Sequence, residues 1–231
     1  MSEDYIILKE FLKYGIKAIY TNKDYGNVQE KEIRNKVIPL GKEMAYGHQK
    51  HTSNVINLDE NRANFHENTD GFVTSRKDIV IFTQYADCLP IYFYDIEKQV
   101  IGLSHSGWQG TYDEIGKNTL NIFKNEFKSS LENILIGFGV SISQENYEVS
   151  QEFYNKFLKK FTKYQLEKVF LEKDGKIFFD NQQLNYNLML SYGIKEENIF
   201  KNNLCTYRDN FHSYRRDKDK AGRNGGYIFF L

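Results

Sequence analysis

Three apolar segments follow one another in the middle of the chain with only a few residues between them: DIVIFTQY from Asp78, IYFYD from Ile91 and QVIGLSH from Gln99. Short runs of this kind, rich in Ile, Val, Phe and Tyr, are typical of buried β-strands. The brief connections predict that the three strands lie side by side in the interior of one sheet. A chain with this centre is therefore expected to be built around β-structure.

Further strands and helices are predicted on both sides of this centre. We predict an α+β fold, a single domain over residues 1–231 with mixed central β-sheet layers flanked by helices, because strands and helices are interspersed without strict alternation. The polar residues 58–70 are expected to form a surface loop. Strands are predicted at residues 16–21, 71–74, 79–83, 91–95, 100–104, 134–137, 176–180 and 227–231, and helices at residues 31–40, 112–128 (with Thr111 as N-cap), 151–162 and 181–192.

Composition excludes some partners and favours one compartment. The 31 basic and 31 acidic side chains cancel, so neither a nucleic acid nor a membrane is a predicted partner. Two cysteines are too few for a disulfide framework and suit a reducing compartment. The first 15 residues contain no apolar leader. We therefore expect a cytoplasmic protein.

His51, Cys88 and His105 are the candidate metal ligands of the chain. Two imidazoles and one thiolate match a catalytic zinc site, which uses three protein ligands and keeps a fourth position open. Cys88 follows one predicted strand and His105 closes another, so both are expected at strand ends. The three residues are far apart in the sequence, without a CxxC or HExxH motif, and spacing alone leaves the metal site a hypothesis.

Other roles for these residues remain open on this reasoning. Cys88 is also a candidate nucleophile, with His51 or His105 as its base and Asp87 as the orienting residue. Alternatively, a buried cysteine is simply a small apolar side chain, and a histidine beside glycines is simply hydrogen-bonded. Cys205 is expected to be a core residue.

Six motifs then occur in a fixed order from about Gln49 to the C-terminal end. The motifs are QxH, ADCLP, HSGWQG, IGFGVSISQENYEVSQEF, CT, and FHSYRRD with a following AGR. Together they resemble the YfiH family. Members of that family are called polyphenol oxidase or laccase domain proteins, and also purine nucleoside phosphorylases.

The resemblance implies that His51, Cys88 and His105 are catalytic residues that ligate a metal, namely Zn²⁺, with copper as the alternative. It implies phosphorolysis of adenosine, inosine and methylthioadenosine to the free base and ribose 1-phosphate, and deamination of adenosine. The expected partners are a small-molecule nucleoside and phosphate, and the expected assembly is a monomer or homodimer. A zinc ion in such a site lowers the pKa of a bound water to about 7.

Candidate substrate-binding residues are Gln49, Asp87 and Arg215, and Arg216 and Arg223 are further candidates for holding an anion. Asp87 is also a candidate general acid and base for deamination.

The chain departs from the family pattern at several positions. The family's QVHG is Gln49-Lys50-His51-Thr52 here, and the arginine of its HAGWRG is Gln109.

Three alternative functions are kept. The first is a Cys88-based hydrolase or amidase, including one that edits peptidoglycan precursors, and the second is a non-enzymatic nucleoside-binding protein. The third is copper-dependent polyphenol oxidation. A multicopper oxidase needs many histidine ligands, whereas this chain has five histidines and no HxH pair.

Overall fold

The computed structural model describes residues 4–231 of the chain. Its strands are β1 (Tyr5–Ile7), β2 (Ile16–Thr21), β3 (Glu43–Gly47), β4 (Val55–Asn57), β5 (Phe65–His66), β6 (Gly71–Thr74), β7 (Ile79–Tyr85), β8 (Leu89–Asp95), β9 (Val100–Ser106), β10 (Ile134–Phe138), β11 (Glu148–Val149), β12 (Phe170–Lys173), β13 (Lys176–Phe179), β14 (Ile199–Phe200) and β15 (Asn224–Phe230). Its α-helices are α1 (Lys9–Leu12), α2 (Lys31–Asn35), α3 (Trp108–Tyr112), α4 (Ile115–Asn125), α5 (Gln151–Lys160), α6 (Asn181–Tyr192) and α7 (Tyr214–Asp217).

Two six-stranded sheets form the centre of the molecule. The first has the strand order β1-β2-β15-β7-β3-β5, and the second has the order β14-β10-β8-β9-β6-β4. Most neighbouring strands are antiparallel, but β3 pairs in parallel with both β7 and β5, and the pairs β4–β6 and β10–β14 are also parallel. A small third sheet has the order β11-β13-β12. The predicted α+β domain with mixed sheets is confirmed.

The main apolar core lies between the two large sheets. Ile81 and Ile228 from the first sheet share one buried cluster with Tyr92 and Leu103 from the second. On the outer face of the second sheet, α4 and α6 bury side chains such as Phe123 against it. Because β8 is covered on both faces, all of its residues are buried, which explains its unbroken apolar run. Helices thus lie beside the sheet layers as predicted, although the helix predicted at residues 31–40 ends at Asn35 and the one predicted at residues 151–162 ends at Lys160.

The prediction that three central strands share one sheet is wrong. β8 and β9 pair with each other in the second sheet, but β7 lies in the first sheet between β15 and β3. The connection 86–88 carries the chain from one sheet to the other, and Asp87 turns it with a φ of 91°. Three apolar runs fit either arrangement, since every strand of a two-sheet core is buried on at least one face.

The helix predicted at residues 112–128 is two helices instead. The first, α3, begins at Trp108, and a break at Glu114, whose φ is 58°, separates it from α4. Thr111 is therefore not an N-cap: it is buried inside α3, and its hydroxyl donates to the Asn181 side chain over 2.8 Å.

The prediction of a surface loop at residues 58–70 is also wrong in part. Leu58 is 1% exposed and Asp70 is 0% exposed, and β5 lies between them. By contrast, α6 has the predicted bounds, because Asp180 accepts the backbone N–H of Gln183 at its start and Gly193, with a φ of 99°, ends it.

Aromatic packing around α5 gives a stability prediction. Phe157 is completely buried, and its ring lies 4.6 Å from that of Phe153 and 5.1 Å from that of Phe179. Phe157→Ala is expected to lower the free energy of unfolding by about 3–5 kcal/mol, measured by urea denaturation. The matched change Leu158→Ala, at a 48% exposed neighbour, is expected to cost less than about 1 kcal/mol. Equal losses in the two variants would contradict the assignment of Phe157 to the core.

Candidate metal centre and active site

The structure brings His51, Cys88 and His105 together. Their potential ligand atoms all lie within 4.8 Å of one another, and the part of the chain that the structure describes contains no second cluster of this kind. His51 follows β3, Cys88 lies in the connection between β7 and β8, and His105 is on β9. Both large sheets therefore contribute to the cluster.

The three side chains differ in their access to solvent. His105 is 3% exposed, Cys88 is half-buried and His51 is exposed. The two imidazole rings lie 4.9 Å apart, centroid to centroid, at an angle of 71°. The cluster is thus anchored in the core at His105 and open to solvent at His51.

Asp70 orients His105. The Nδ1–H of His105 donates to Oδ1 of Asp70 over 2.8 Å, inside a completely buried contact. A carboxylate accepts hydrogen bonds and does not donate them, so this contact places a proton on Nδ1 and directs Nε2 towards the cluster. A carboxylate behind a histidine is a common arrangement at metal sites.

The same carboxylate holds the loop that carries His51. Asp70 accepts the backbone N–H groups of Lys50, His51 and Thr52 over 3.1, 3.1 and 2.9 Å. The Thr52 hydroxyl adds a 2.8 Å bond, at the position where the YfiH pattern has a glycine. These bonds stabilise His51 in a left-handed conformation with a φ of 59°. Asp70 therefore positions two of the three candidate ligands.

Sequence reasoning missed Asp70 because it assigned residues 58–70 to the surface. One signal was available in the sequence. Asp70 stands directly before Gly71, at the start of an apolar predicted strand, and a carboxylate that is buried there needs hydrogen-bond donors.

The cluster shifts the pKa values of its own groups. Burial raises the pKa of the Cys88 thiol, but the charges and hydrogen bonds of His105 and His51 outweigh burial and lower this pKa to about 6. Burial lowers the pKa of His105, whereas Cys88 and Asp70 raise it to about 9. Burial raises the pKa of Asp70, and its contacts with His105 and Thr52 lower it to about 2. Cys88 and Asp70 are therefore anionic at neutral pH.

The donor set and the space around it fit a bound metal ion. Two imidazole nitrogens and one thiolate sulfur are ligands that zinc and copper accept. Gly107 lies against them: a Cβ atom there would stand 2.7 Å from Cδ2 of His51 and 3.1 Å from Sγ of Cys88. Only glycine, which has no Cβ atom, allows His51 and Cys88 to occupy the positions seen here.

Gly107→Ala is therefore expected to weaken metal binding while the fold is kept. The φ of Gly107 is −67°, which alanine adopts without strain, so the added methyl group acts only on the ligands. We expect the affinity for zinc to fall about tenfold or more, measured by competition with a chelator. Gln109→Ala, two residues away at an exposed side chain, is the control. Unchanged affinity in Gly107→Ala would contradict the close packing of this glycine on the ligands.

The cluster lies in a cavity of about 410 Å³, within the range of small-molecule sites. The three sequence-predicted substrate-binding residues, Gln49, Asp87 and Arg215, all lie on its wall. Trp108 and Tyr147 add aromatic surface. The walls combine aromatic rings, amides and cations.

Gln49 and Asp87 are held by the protein itself. The Gln49 side chain donates to the backbone oxygen of Gln84 over 2.9 Å and accepts its N–H over 2.8 Å, as a neighbouring strand does. Asp87 accepts the Thr206 hydroxyl on Oδ1 and the Arg215 backbone N–H on Oδ2, both over 2.6 Å. Gln49 and Asp87 therefore hold the segments of the cavity wall in place.

Of the remaining candidates, Arg223 also lines the cavity, whereas Arg216 and Cys205 do not. Arg216 binds both carboxylate oxygens of Asp217 and donates to three backbone oxygens, so its guanidinium is a structural group. Cys205 is completely buried and accepts the hydroxyl of Ser143 over 2.9 Å, as expected for a core residue.

No helix within residues 4–231 has the length and the apolar character needed to cross a membrane.

Comparison with known proteins finds relatives over most of the chain. A family model described as "Multi-copper polyphenol oxidoreductase laccase" matches residues 19–231. A protein of Borreliella burgdorferi named purine nucleoside phosphorylase is 39% identical over 205 residues, which are 87% of each chain. Purine nucleoside phosphorylase YlmD of Bacillus subtilis is 30% identical over 162 residues, 69% of this chain and 58% of that protein.

A solved structure supports the fold. The crystal structure of the hypothetical protein YfiH of Bacillus licheniformis superimposes with a TM-score of 0.88 at 26% identity, over 99% of this chain and 97% of the other.

Proposed function

The chain belongs to the multi-copper polyphenol oxidoreductase laccase family, and we propose that it is a cytoplasmic, zinc-dependent purine nucleoside phosphorylase. The names of its relatives in Borreliella burgdorferi and Bacillus subtilis support this proposal. The observation that carries it is the cluster of two imidazoles and a thiolate, within 4.8 Å of one another, on the wall of a cavity of about 410 Å³.

The arrangement of histidines argues against a multicopper centre despite the family description. His48 pairs with Glu67 on the surface, and His66 contacts the backbone oxygen of Ala63. His212 lies away from the cluster and against Gly222. Within residues 4–231, the three-residue cluster is the one set of side chains placed to bind a metal, and one copper ion there is the alternative to zinc.

In the proposed reaction, a phosphate oxygen forms a bond to C1′ of the nucleoside ribose while the bond from C1′ to the purine nitrogen breaks. The electron pair leaves with the purine, which takes up a proton, and ribose 1-phosphate remains. Zinc bound to His51, Cys88 and His105 would supply a Lewis acid with one open coordination position. Adenosine, inosine and methylthioadenosine are the proposed substrates.

The residues of the chain orient these groups. Asp70 fixes the His105 ring so that Nε2 faces the cluster, and it holds the loop that presents His51. Trp108 and Tyr147 line the cavity with the flat apolar surface that a purine packs against. Burial chiefly, and also the charge of Cys88, raises the pKa of Tyr147, so its phenol keeps its proton at neutral pH.

We also propose adenosine deamination in the same cavity, in which water replaces the amine at C6 of the purine and ammonia leaves. This activity differs from phosphorolysis in one measurable way: it needs no phosphate.

Product chromatography tests both activities. Zinc-loaded protein is incubated with adenosine, with inosine and with methylthioadenosine, each with and without phosphate. We expect free base and ribose 1-phosphate (5-methylthioribose 1-phosphate from methylthioadenosine) only where phosphate is present, and inosine from adenosine in both conditions. Protein from which zinc has been removed with a chelator is the control and is expected to be inactive. If the fully loaded protein forms none of these products, the proposal is wrong.

A second candidate function is supported by one specific geometry. Cys88, His105 and Asp70 form a chain of contacts that matches a nucleophile, its base and the base's orienting carboxylate. The orienting residue expected from the sequence was Asp87, but its two oxygens accept hydrogen bonds from Thr206 and Arg215 instead. In an amidase, the thiolate would bond to the amide carbon, the C–N bond would break as the amine takes a proton, and water would release the acyl group. Peptidoglycan precursors are one substrate class for such an enzyme.

Alkylation distinguishes the two functions. An amidase in its active state keeps Cys88 free, so iodoacetamide is expected to modify it in protein as purified and to abolish amide hydrolysis. In a zinc enzyme, the thiolate is protected until zinc is removed.

A further inference from the structure

Two arginines share the cavity with the candidate metal ligands. Arg215 and Arg223 both line its wall. Neither pairs with a carboxylate in the part of the chain that the structure describes, although most other arginines there do: Arg76, Arg208 and Arg216 each bind an aspartate. Two cations without acidic partners in one cavity leave their charge available to an anion.

Arg215 is held so that only part of its guanidinium is engaged. Its backbone N–H donates to Oδ2 of Asp87 over 2.6 Å, which ties it to the residue next to Cys88. Its Nη1 donates to the backbone oxygen of Glu148 over 3.0 Å, and its Cζ lies 5.0 Å from the centre of the Tyr147 ring. The side chain is thus fixed by two contacts, and its Nε and Nη2 have donors to spare.

Arg223 is also held by backbone oxygens through one nitrogen of its guanidinium. Its Nη1 donates to the backbone oxygens of Ala221 and Gly222 over 2.7 and 3.0 Å. Its backbone N–H donates to Oδ1 of Asn27 over 2.9 Å. As with Arg215, one edge of the guanidinium is bound to the protein and the other nitrogens are free to donate.

The hydrogen-bond donors of the cavity favour an anion. Asp87 is the one carboxylate on its wall, and each of its oxygens already accepts a hydrogen bond from the protein. Both guanidinium groups use only Nη1 for the protein and keep their other N–H donors for a ligand. An oxyanion with several acceptor oxygens suits two planar guanidinium groups better than a neutral group does.

We propose that Arg215 and Arg223 form the subsite that binds inorganic phosphate for phosphorolysis, with Asp87 as a positioning residue that holds Arg215 in place. This proposal rests on the proposed nucleoside phosphorylase function. The subsite explains why Asp87 lies beside a candidate ligand although both of its oxygens accept hydrogen bonds from the protein. Asp87 links the turn that carries Cys88 to Arg215, which faces the cavity. Phosphate is thereby held beside the metal cluster.

The test measures phosphate binding separately from catalysis. Zinc-loaded wild-type protein, Arg215→Gln, Arg223→Gln and the exposed-site control Arg62→Gln are titrated with inorganic phosphate by calorimetry. Each cavity variant is expected to bind phosphate about tenfold or more weakly, since it loses charge-assisted hydrogen bonds. Arg62→Gln is expected to bind like wild type. Arg215→Lys, which keeps the charge and loses the planar fork, is expected to fall between wild type and Arg215→Gln.

Steady-state kinetics adds a second readout. The KM for phosphate is expected to rise by a similar factor in the cavity variants, while the KM for the nucleoside changes less than about twofold. Zinc content and circular dichroism identify the variants that keep the fold and the metal, and Arg215→Lys and Arg223→Gln decide the matter if Arg215→Gln does not fold.

The two hypotheses fail in different ways. Wild-type phosphate affinity in the folded cavity variants overturns the subsite, whatever the catalytic result. Phosphate binding that depends on Arg215 and Arg223, in a protein that cleaves no nucleoside, keeps the subsite and overturns the proposed function. Wild-type protein that binds no phosphate overturns the subsite directly.

Discussion

Cys88→Ser is expected to lose bound zinc and to reduce nucleoside turnover by about a thousandfold or more. A serine hydroxyl is a much poorer zinc ligand than a thiolate, and the lost Lewis acid contributes several kcal/mol to the reaction. Zinc content by mass spectrometry and kcat/KM by product chromatography measure the two effects. Cys88 is the ligand to change because it is the only anionic member of the cluster.

Cys205→Ser is the matched control, since the second cysteine is buried in the core away from the cluster. It is expected to keep zinc and activity. A Cys88→Ser protein that holds one zinc per chain with wild-type affinity would contradict the proposed ligand set.

Removal of the metal is also expected to make the Cys88 thiolate reactive towards alkylating agents. In a Cys205→Ser background, chelated protein is expected to react with iodoacetamide at Cys88, and zinc-loaded protein is expected to resist it. Because the pKa of Cys88 is lowered to about 6, the thiolate persists below neutral pH. The rate of alkylation is therefore expected to rise as the pH increases through about 6 and to level off above it, whereas an ordinary thiol continues to gain reactivity up to about pH 8.5.

Asp70→Asn is expected to weaken zinc binding by about ten to a hundredfold and to lower turnover with it. Asparagine has nearly the same shape, but it lacks the charge that orients His105. Its amide group also offers hydrogens where the backbone N–H groups of Lys50 and Thr52 need an acceptor. An unsatisfied buried donor costs about 1–3 kcal/mol, so the free energy of unfolding is expected to fall as well. Chelator competition and urea denaturation measure the two losses.

Asp59→Asn separates the effect on zinc from the effect on stability. Asp59 also accepts several hydrogen bonds, from the Thr74 hydroxyl over 2.5 Å and from the Ser75 backbone N–H over 3.1 Å, but it does not contact the cluster. It is expected to lose stability and to keep its affinity for zinc. If the two variants bind zinc equally well, Asp70 is a structural residue only.

The elements of this fold were predictable where local chemistry decides them. Asp180 and Gly193 mark the two ends of α6, and the bounds of β2 and β6 follow directly from their apolar residues. The pairing of strands was less predictable, because an apolar run buries equally well in either of two stacked sheets. The single turn at Asp87, with its positive φ, assigns β7 and β8 to different sheets, and aspartate gives only a weak signal for that conformation.

The candidate site was predictable to a different degree. Ordered motifs identified His51, Cys88 and His105, and the structure brings them together. The position of Asp70 before Gly71 indicated burial, but its partners could not be inferred, because they lie 18–20 residues before it and 35 residues after it in the chain. Long-range partners are set by how the sheets stack. For Arg216, the sequence motif suggested an anion-binding role that the structure does not support. Its guanidinium forms an ion pair with the neighbouring Asp217.

The origin of the three candidate ligands in both sheets has a consequence for the whole fold. His51 follows a strand of the first sheet, His105 belongs to a strand of the second, and Cys88 lies on the crossing between them. An ion held by all three would act as a removable cross-link between the layers. Ligand binding to the folded state alone adds about 4 kcal/mol of stability at a thousand times the dissociation constant. The melting temperature of this protein would then follow the concentration of free metal, and heat resistance would report on the metal supply of the cell.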